Sequence, residues 1–250
     1  MKPIHSFILV ATAAICAAPL AAQQVPAPIA AAVASPDRPA ADKERDAARK
    51  PAELMVFAGV KAGDKVADFM PGGGYVTRLF SKIVGESGKV YALVPGEIAE
   101  RVPRVVEASK AIAADPKFAN VTVATPSGGI TLPEPIDLFW TSENYHDVYN
   151  GSGPEAASQL VTGVFKALKP GGVFIVTDHA AKPGTSQADA TPLHRIDPAL
   201  VKAQAQAAGF VLEGESTVIA NPADPHDKPV FDASIRGKTD QFALKFRKPR

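Results

Sequence analysis

The sequence predicts an α/β protein: a doubly wound, mostly parallel seven-stranded sheet with an antiparallel C-terminal hairpin, a Rossmann-like arrangement. Three observations predict it. From Lys61 onward, short apolar runs alternate with helical patterns, as in parallel strands joined by right-handed crossovers. Runs such as "KVADFM" are apolar almost throughout, which suits strands covered on both faces. The last two strand-like runs, "FVLEGESTVI" and "QFALKFRK", have no good helix between them and so should pair antiparallel.

The elements follow in order. "PAELMVFAGV" reads as a short helix ending at Gly59, and "KVADFM" as the first strand. "YVTRLFSKIVG" places Val76, Leu79, Phe80 and Ile83 at helical spacing, with Gly85 closing the helix. "GKVYALV" is a second strand; "GEIAERVPRVVEASKAIAAD" is helical and broken near Pro103, since proline cannot donate to the preceding turn. "NVTVAT" and "PIDLFWTS" are the third and fourth strands. "GPEAASQLVTGVFKAL" carries Leu160, Val164 and Leu168 on one stripe, and "KPGG" turns into "VFIVTDH", the fifth strand. Asp197 reads as the N-cap of a helix with Pro198 at its first position, running to Gly209. "ANPADPHDKPVFDASIRGKTD" is a long loop.

Composition bounds the function classes. The chain has 250 residues, 46% hydrophobic and 21% charged, which is ordinary for a globular protein. Lys2 followed by "FILVATAAICAAPLAA" has the layout of a secretory signal: a positive end, an apolar middle and small residues at a cut between Ala18 and Ala22. Residues 1–22 are therefore expected to be a signal peptide and the protein periplasmic or secreted, with retention as a membrane anchor the minority reading. Residues 23–44, Ala- and Pro-rich, read as a disordered linker, and 45–250 as the domain. Cys16 is the single cysteine, so the mature chain has no thiol for a disulfide, a nucleophile or a zinc site. The chain has 27 basic and 26 acidic residues, and loss of Lys2 balances them. That balance gives no electrostatic reason to expect nucleic acid or an anionic membrane as a partner; a small molecule is expected. Oligomeric state is not legible.

The informative stretch is "VADFMPGGGYVTRLF", residues 66–80: strand, glycine turn, helix. A helix start presents free N–H groups, and glycines let a ligand approach them. The plain alternative is a turn that needs positive φ angles. Gly72-Gly73-Gly74 is followed by Tyr75, Val76 and Thr77, so the third glycine of a dinucleotide fingerprint is missing, and no Gly-Lys-Ser/Thr of a P-loop follows.

Asp68, Gly72, Gly74, Tyr75 and Thr77 together resemble the first motif of the class I S-adenosylmethionine-dependent methyltransferases. "ALKPGGVFIVTD" resembles that family's lead-in to its fifth strand, "PIDLFWTSENYHD" its fourth strand and substrate-facing loop. The resemblance covers about residues 50–247 and is strongest to bacterial predicted methyltransferases with the "DHAAKPG" and "LHRID" stretches. It implies S-adenosyl-L-methionine as cofactor and methyl transfer to a small acceptor. The implied cofactor residues are Asp68, Met70, Pro71, Gly72, Gly73, Gly74, Tyr75, Glu97, Ser142 and Asn144. The chain departs from the family pattern at Met70, where a glycine is usual, and at Val94, where an acidic residue usually accepts the ribose hydroxyls; Glu97 is the nearby substitute.

Candidate catalytic groups should collect at the strand ends: His146 and Asp147 after strand four, His179 ending strand five, His194 in the next loop. A neutral imidazole beside a carboxylate can accept a proton. Each alone is as well explained by structural hydrogen bonding, Arg195 by an ion pair, Asp197 by capping, Trp140 and Tyr145 by packing, and His226 by solvation. The histidines could also bind a metal with a carboxylate, but that is the weaker idea and no metal is expected, because no two histidines sit at ligand spacing in one helix or strand. Two other functions fit the same residues: a non-catalytic exported ligand-binding protein on this fold, and a histidine-dependent hydrolase or lyase.

Overall fold

The computed structural model describes residues 24–250, so the expected signal segment 1–22 lies outside the described residues. The N-terminal helices are α1 (Ala27–Ala34), α2 (Ala40–Lys43), α3 (Asp46–Arg49) and α4 (Pro51–Ala58). Then come β1 (Lys65–Phe69), α5 (Tyr75–Val84), β2 (Lys89–Leu93), α6 (Gly96–Arg101), α7 (Pro103–Ala114), β3 (Val121–Ala124), β4 (Ile136–Ser142), α8 (Tyr145–Ser152) and α9 (Pro154–Ala167). The chain closes with β5 (Leu168–His179), α10 (Gln187–Ala190), α11 (Pro198–Ala207), β6 (Val211–Ser216) and β7 (Gln241–Arg247).

The strands form one seven-stranded sheet in the order β3-β2-β1-β4-β5-β7-β6. The first five are parallel; β7 runs antiparallel between β5 and β6. This is the expected architecture, and its cause is visible in the side chains. Val66, Val90, Leu138 and Ile175 pack beneath α4 and α5 on one face. Their neighbours Ala67, Tyr91, Phe139 and Phe174 pack beneath α9 and α11 on the other. Because successive strand residues alternate sides, a strand buried on both faces must be apolar at every step. The strand order reverses between β1 and β4, so ligands should collect at the carboxyl ends of those two strands.

Three segments differ from the sequence reading. Residues 24–44 are not a free tether: α1 buries Ile29 and Ala32 against the core beside α5. Ile29, Ala32 and Val33 make a stripe that small alanines conceal in a hydropathy pattern, and alanine has the highest helix propensity. The "KPGG" turn is the start of β5, which bulges between the pairs Ile136–Leu168 and Leu138–Val173. The residues after Asn144 form α8 rather than a loop. Among the described residues no helix is long and apolar enough to cross a membrane.

Candidate functional site

The glycine turn and the end of β4 meet at the strand reversal and enclose a cleft of about 170 Å³. Asp68, Met70, Pro71, Gly72, Gly73, Tyr75, Ser142 and Asn144, all expected cofactor residues, line it. Asn144 also positions the turn, since its side-chain amide donates to the carbonyls of Phe69 (3.1 Å) and Met70 (3.2 Å). The three glycines do different work. A Cβ at Gly72 or Gly73 would meet no atom within 4 Å, so these face open space. A Cβ at Gly74 would sit 2.1 Å from Ile112 Cδ1, so Gly74 serves packing against α7, with a φ of 79° that favours glycine.

One further expected position, Glu97, is placed away from the cleft, in the first turn of α6, where its Oε1 accepts from the backbone of Gly128. Val94, at the end of β2, is fully buried. Met70 sits at φ 52°, the left-handed conformation that a glycine adopts freely and other residues adopt at a cost.

Asp68 is buried, with Oδ2 accepting from Thr77 Oγ1 at 2.6 Å. Burial raises its pKa to about 7 against the opposing hydrogen bonds from Thr77. From the cleft a smaller hollow of about 20 Å³ reaches toward the sheet past Trp140 and Thr177. The Trp140 indole nitrogen and the Thr177 hydroxyl are buried there without a hydrogen-bond partner in the protein.

Sequence reasoning missed the roof. Arg45 and Arg49 line the cleft, and the guanidiniums of Arg38, Arg45 and Arg49 all stand within about 5 Å of the Tyr75 ring centroid. The Tyr75 hydroxyl donates to Asp46 at 2.6 Å, and Arg38 forks onto the same carboxylate. No motif marks these residues: Arg38 lies in the stretch read as a linker, and Arg45 and Arg49 in the charge-rich "DKERDAARK" that follows.

The histidines do converge beside the end of β5. Asp178 is buried and its carboxylate accepts from the backbone N–H of His146 (2.9 Å) and of His179 (2.7 Å). His146 Nδ1 lies 2.6 Å from Asp178 Oδ1, and since a carboxylate only accepts, Nδ1 carries the proton. Nε2 is thus turned to Asp147 Oδ1 at 3.2 Å, which also lies 3.3 Å from His194 Nδ1. Burial lowers the His146 pKa, but the charge on Asp178 and the hydrogen bonds to Asp147 and Asp178 outweigh it and push it up to about 10. Burial lowers that of His179, whose Nδ1 meets Thr239 Oγ1 at 2.9 Å and Gln241 Nε2 at 3.3 Å. Gln241 also donates to Glu143 on the cleft wall, so one polar chain joins the cleft to the histidines.

The remaining candidates are structural. Arg195 is fully buried and ties the long loop to β5 through Asp224, Lys228 O and Ala180 O. Asp197 caps α11 by accepting from Ala199 N. Trp140 packs edge-on against Phe80, Tyr145 bonds Gln204, and His226 pairs with Asp240.

No protein-family model matches the chain. A protein-L-isoaspartate O-methyltransferase of Methanococcus maripaludis is 32% identical over 115 residues, covering 45% of this chain and 46% of the relative. One from Ignicoccus hospitalis is 26% identical over 127 residues, 50% of this chain and 52% of the relative. The chain thus spans about half the length of the curated relatives it matches. Among solved structures, a SAM-dependent methyltransferase from Aquifex aeolicus superposes with a TM-score of 0.55 at 20% identity, over 86% of this chain and 96% of that one. The [4+2]-cyclase SpnF does so at 0.58 and 16%, over 84% and 82%, so this fold also serves another reaction. Over about half its length the chain is thus similar in sequence to isoaspartate O-methyltransferases, and in fold it is similar to solved S-adenosylmethionine-dependent methyltransferases.

Proposed function

We propose that the protein binds S-adenosyl-L-methionine over Gly72 and Gly73 and transfers its methyl group to a small-molecule acceptor. The observation that carries this reading is the pair of glycines open to a cleft at the strand reversal, beneath Asp68 and beside Ser142 and Asn144. The residues fit the cofactor in kind: bare main chain, a carboxyl group and unpartnered buried donors alongside. They are tight in volume, about 170 Å³ against the roughly 300–1,000 Å³ usual for ligand pockets, with Arg45 and Arg49 among the lining.

S-adenosylmethionine, when bound, supplies an electrophilic methyl group on a sulfonium. The chain's part is to hold the acceptor in line and take its proton where one is lost. Asn144 fixes the turn, and Glu143 and Gln241 connect the cleft to His179. Burial lowers the His179 pKa, which favours the neutral form that can accept a proton.

The protein is proposed to act outside the cytoplasm, on the strength of the N-terminal "FILVATAAICAAPLAA" stretch. Sequencing the mature N-terminus by cell fraction tests this. A second reading, a non-catalytic binding protein, is favoured by the buried Val94 and by Glu97 facing Gly128, which leave no carboxylate at the end of β2 for ribose hydroxyls. Calorimetric titration with S-adenosylmethionine and S-adenosylhomocysteine separates the two: saturable binding supports methyl transfer, and none at millimolar ligand removes it.

A further inference from the structure

The histidines assemble something their spacing in sequence argued against. We propose that His146 Nε2, His194 Nδ1 and an Asp147 carboxylate oxygen bind one divalent transition-metal cation of the zinc class, with a further coordination position open to water or a substrate oxygen. The three ligand atoms lie within 4.8 Å of one another. Asp147 Oδ1 stands 3.2 Å from His146 Nε2 and 3.3 Å from His194 Nδ1. Ligands held ~2.1 Å from a tetrahedral cation are separated by about 3.4 Å, so little movement is needed to close the site.

The surroundings are those of a ligating imidazole. His146 donates its Nδ1–H to the buried carboxylate of Asp178, which turns Nε2 outward, and the cation takes the place of the Nε2 proton, released to solvent. The two backbone N–H groups on Asp178 hold that carboxylate in turn. His194 is held at φ 54°, a strained backbone that aims its ring at Asp147, with Phe231 stacked edge-on behind it. His146 is buried, while Asp147 and His194 are 45% and 41% exposed, which leaves a way in for the ion and room for another ligand. Two imidazoles and one carboxylate are the donors of catalytic zinc sites; magnesium and calcium want oxygen throughout. The assignment rests on these residues alone and stands or falls apart from the methyl-transfer reading.

The test is calorimetric titration of the untagged, metal-stripped full chain with zinc chloride, paired with the visible spectrum of the cobalt(II) form. One equivalent of zinc is expected, with cobalt(II) ligand-field bands of a four- or five-coordinate N,O site. His194→Ala and Asp147→Asn should each weaken zinc by at least about tenfold, and His226→Ala should not. Asp147→Asn alters one exposed side chain, so it reads out even where His194→Ala disturbs its loop. Excess magnesium should not compete. Absence of saturable zinc binding, equal binding by Asp147→Asn and the wild type, or displacement by magnesium would each overturn the proposal.

Discussion

The Arg49 guanidinium donates to the Glu143 carboxylate at 2.7 Å, joining side chains 94 positions apart on the two walls of one cleft. The contact fastens the N-terminal segment to the end of β4, above the glycine turn. Each side chain is about a quarter exposed, so such a pair is worth only ~0.5–1 kcal/mol. Arg49→Ala should therefore cost little global stability. It should instead speed amide exchange in residues 38–50 while β1, β4 and β5 stay protected. Unchanged exchange there would show that α1 and Tyr75 hold the roof by themselves.

The glycines should separate stability from binding. Gly74→Ala forces a methyl group into Ile112 at a left-handed φ and should cost at least ~2 kcal/mol in denaturant unfolding. Gly73→Ala adds its methyl to open space and should leave stability within ~0.5 kcal/mol. The same methyl should reduce S-adenosylmethionine affinity by tenfold or more in calorimetry, since it occupies the floor the ligand must approach.

Met70 offers a direct measure of backbone strain. Met70→Ala and Met70→Gly delete nearly the same side chain, but only glycine accepts φ 52° freely. The glycine variant should be the more stable of the two by ~1 kcal/mol, against the usual preference for alanine. Equal midpoints would mean the turn relaxes when the side chain is lost.

Asp68 sets a pH dependence. Its folded pKa of about 7 lies above the ordinary 3.8, so between those values the native protein binds more protons than the unfolded chain. Stability contributed by this group is therefore full at low pH and falls as pH rises toward about 7. Asp68→Asn keeps an acceptor for Thr77 but cannot ionise. Its stability relative to wild type, from urea unfolding, should improve between about pH 4 and pH 7. A carbon-13 carboxyl titration of Asp68 with a midpoint near 4 would contradict this.

Much of the fold was legible because it is a local signal repeated. Apolar strands such as Val66–Phe69 and the helical stripe of Val76, Leu79, Phe80 and Ile83 announce themselves within ten residues. The cleft was legible for a related reason: its floor and one wall come from single turns, Met70–Gly74 and Ser142–Asn144, at the ends of such strands. The N-terminal helix was not, because alanines on the buried and exposed faces look alike.

The sequence by itself determined the sheet, its antiparallel end and the glycine turn at the strand reversal, because backbone geometry and hydrophobic period act over neighbouring residues. Only the tertiary structure decided that Gly74 serves packing, that Glu97 faces Gly128, that three arginines crowd Tyr75, and that His194 comes within reach of Asp147. Those relations join residues from separate elements and turns. Their distances are set by how helices and strands stack, which no spacing along the chain encodes.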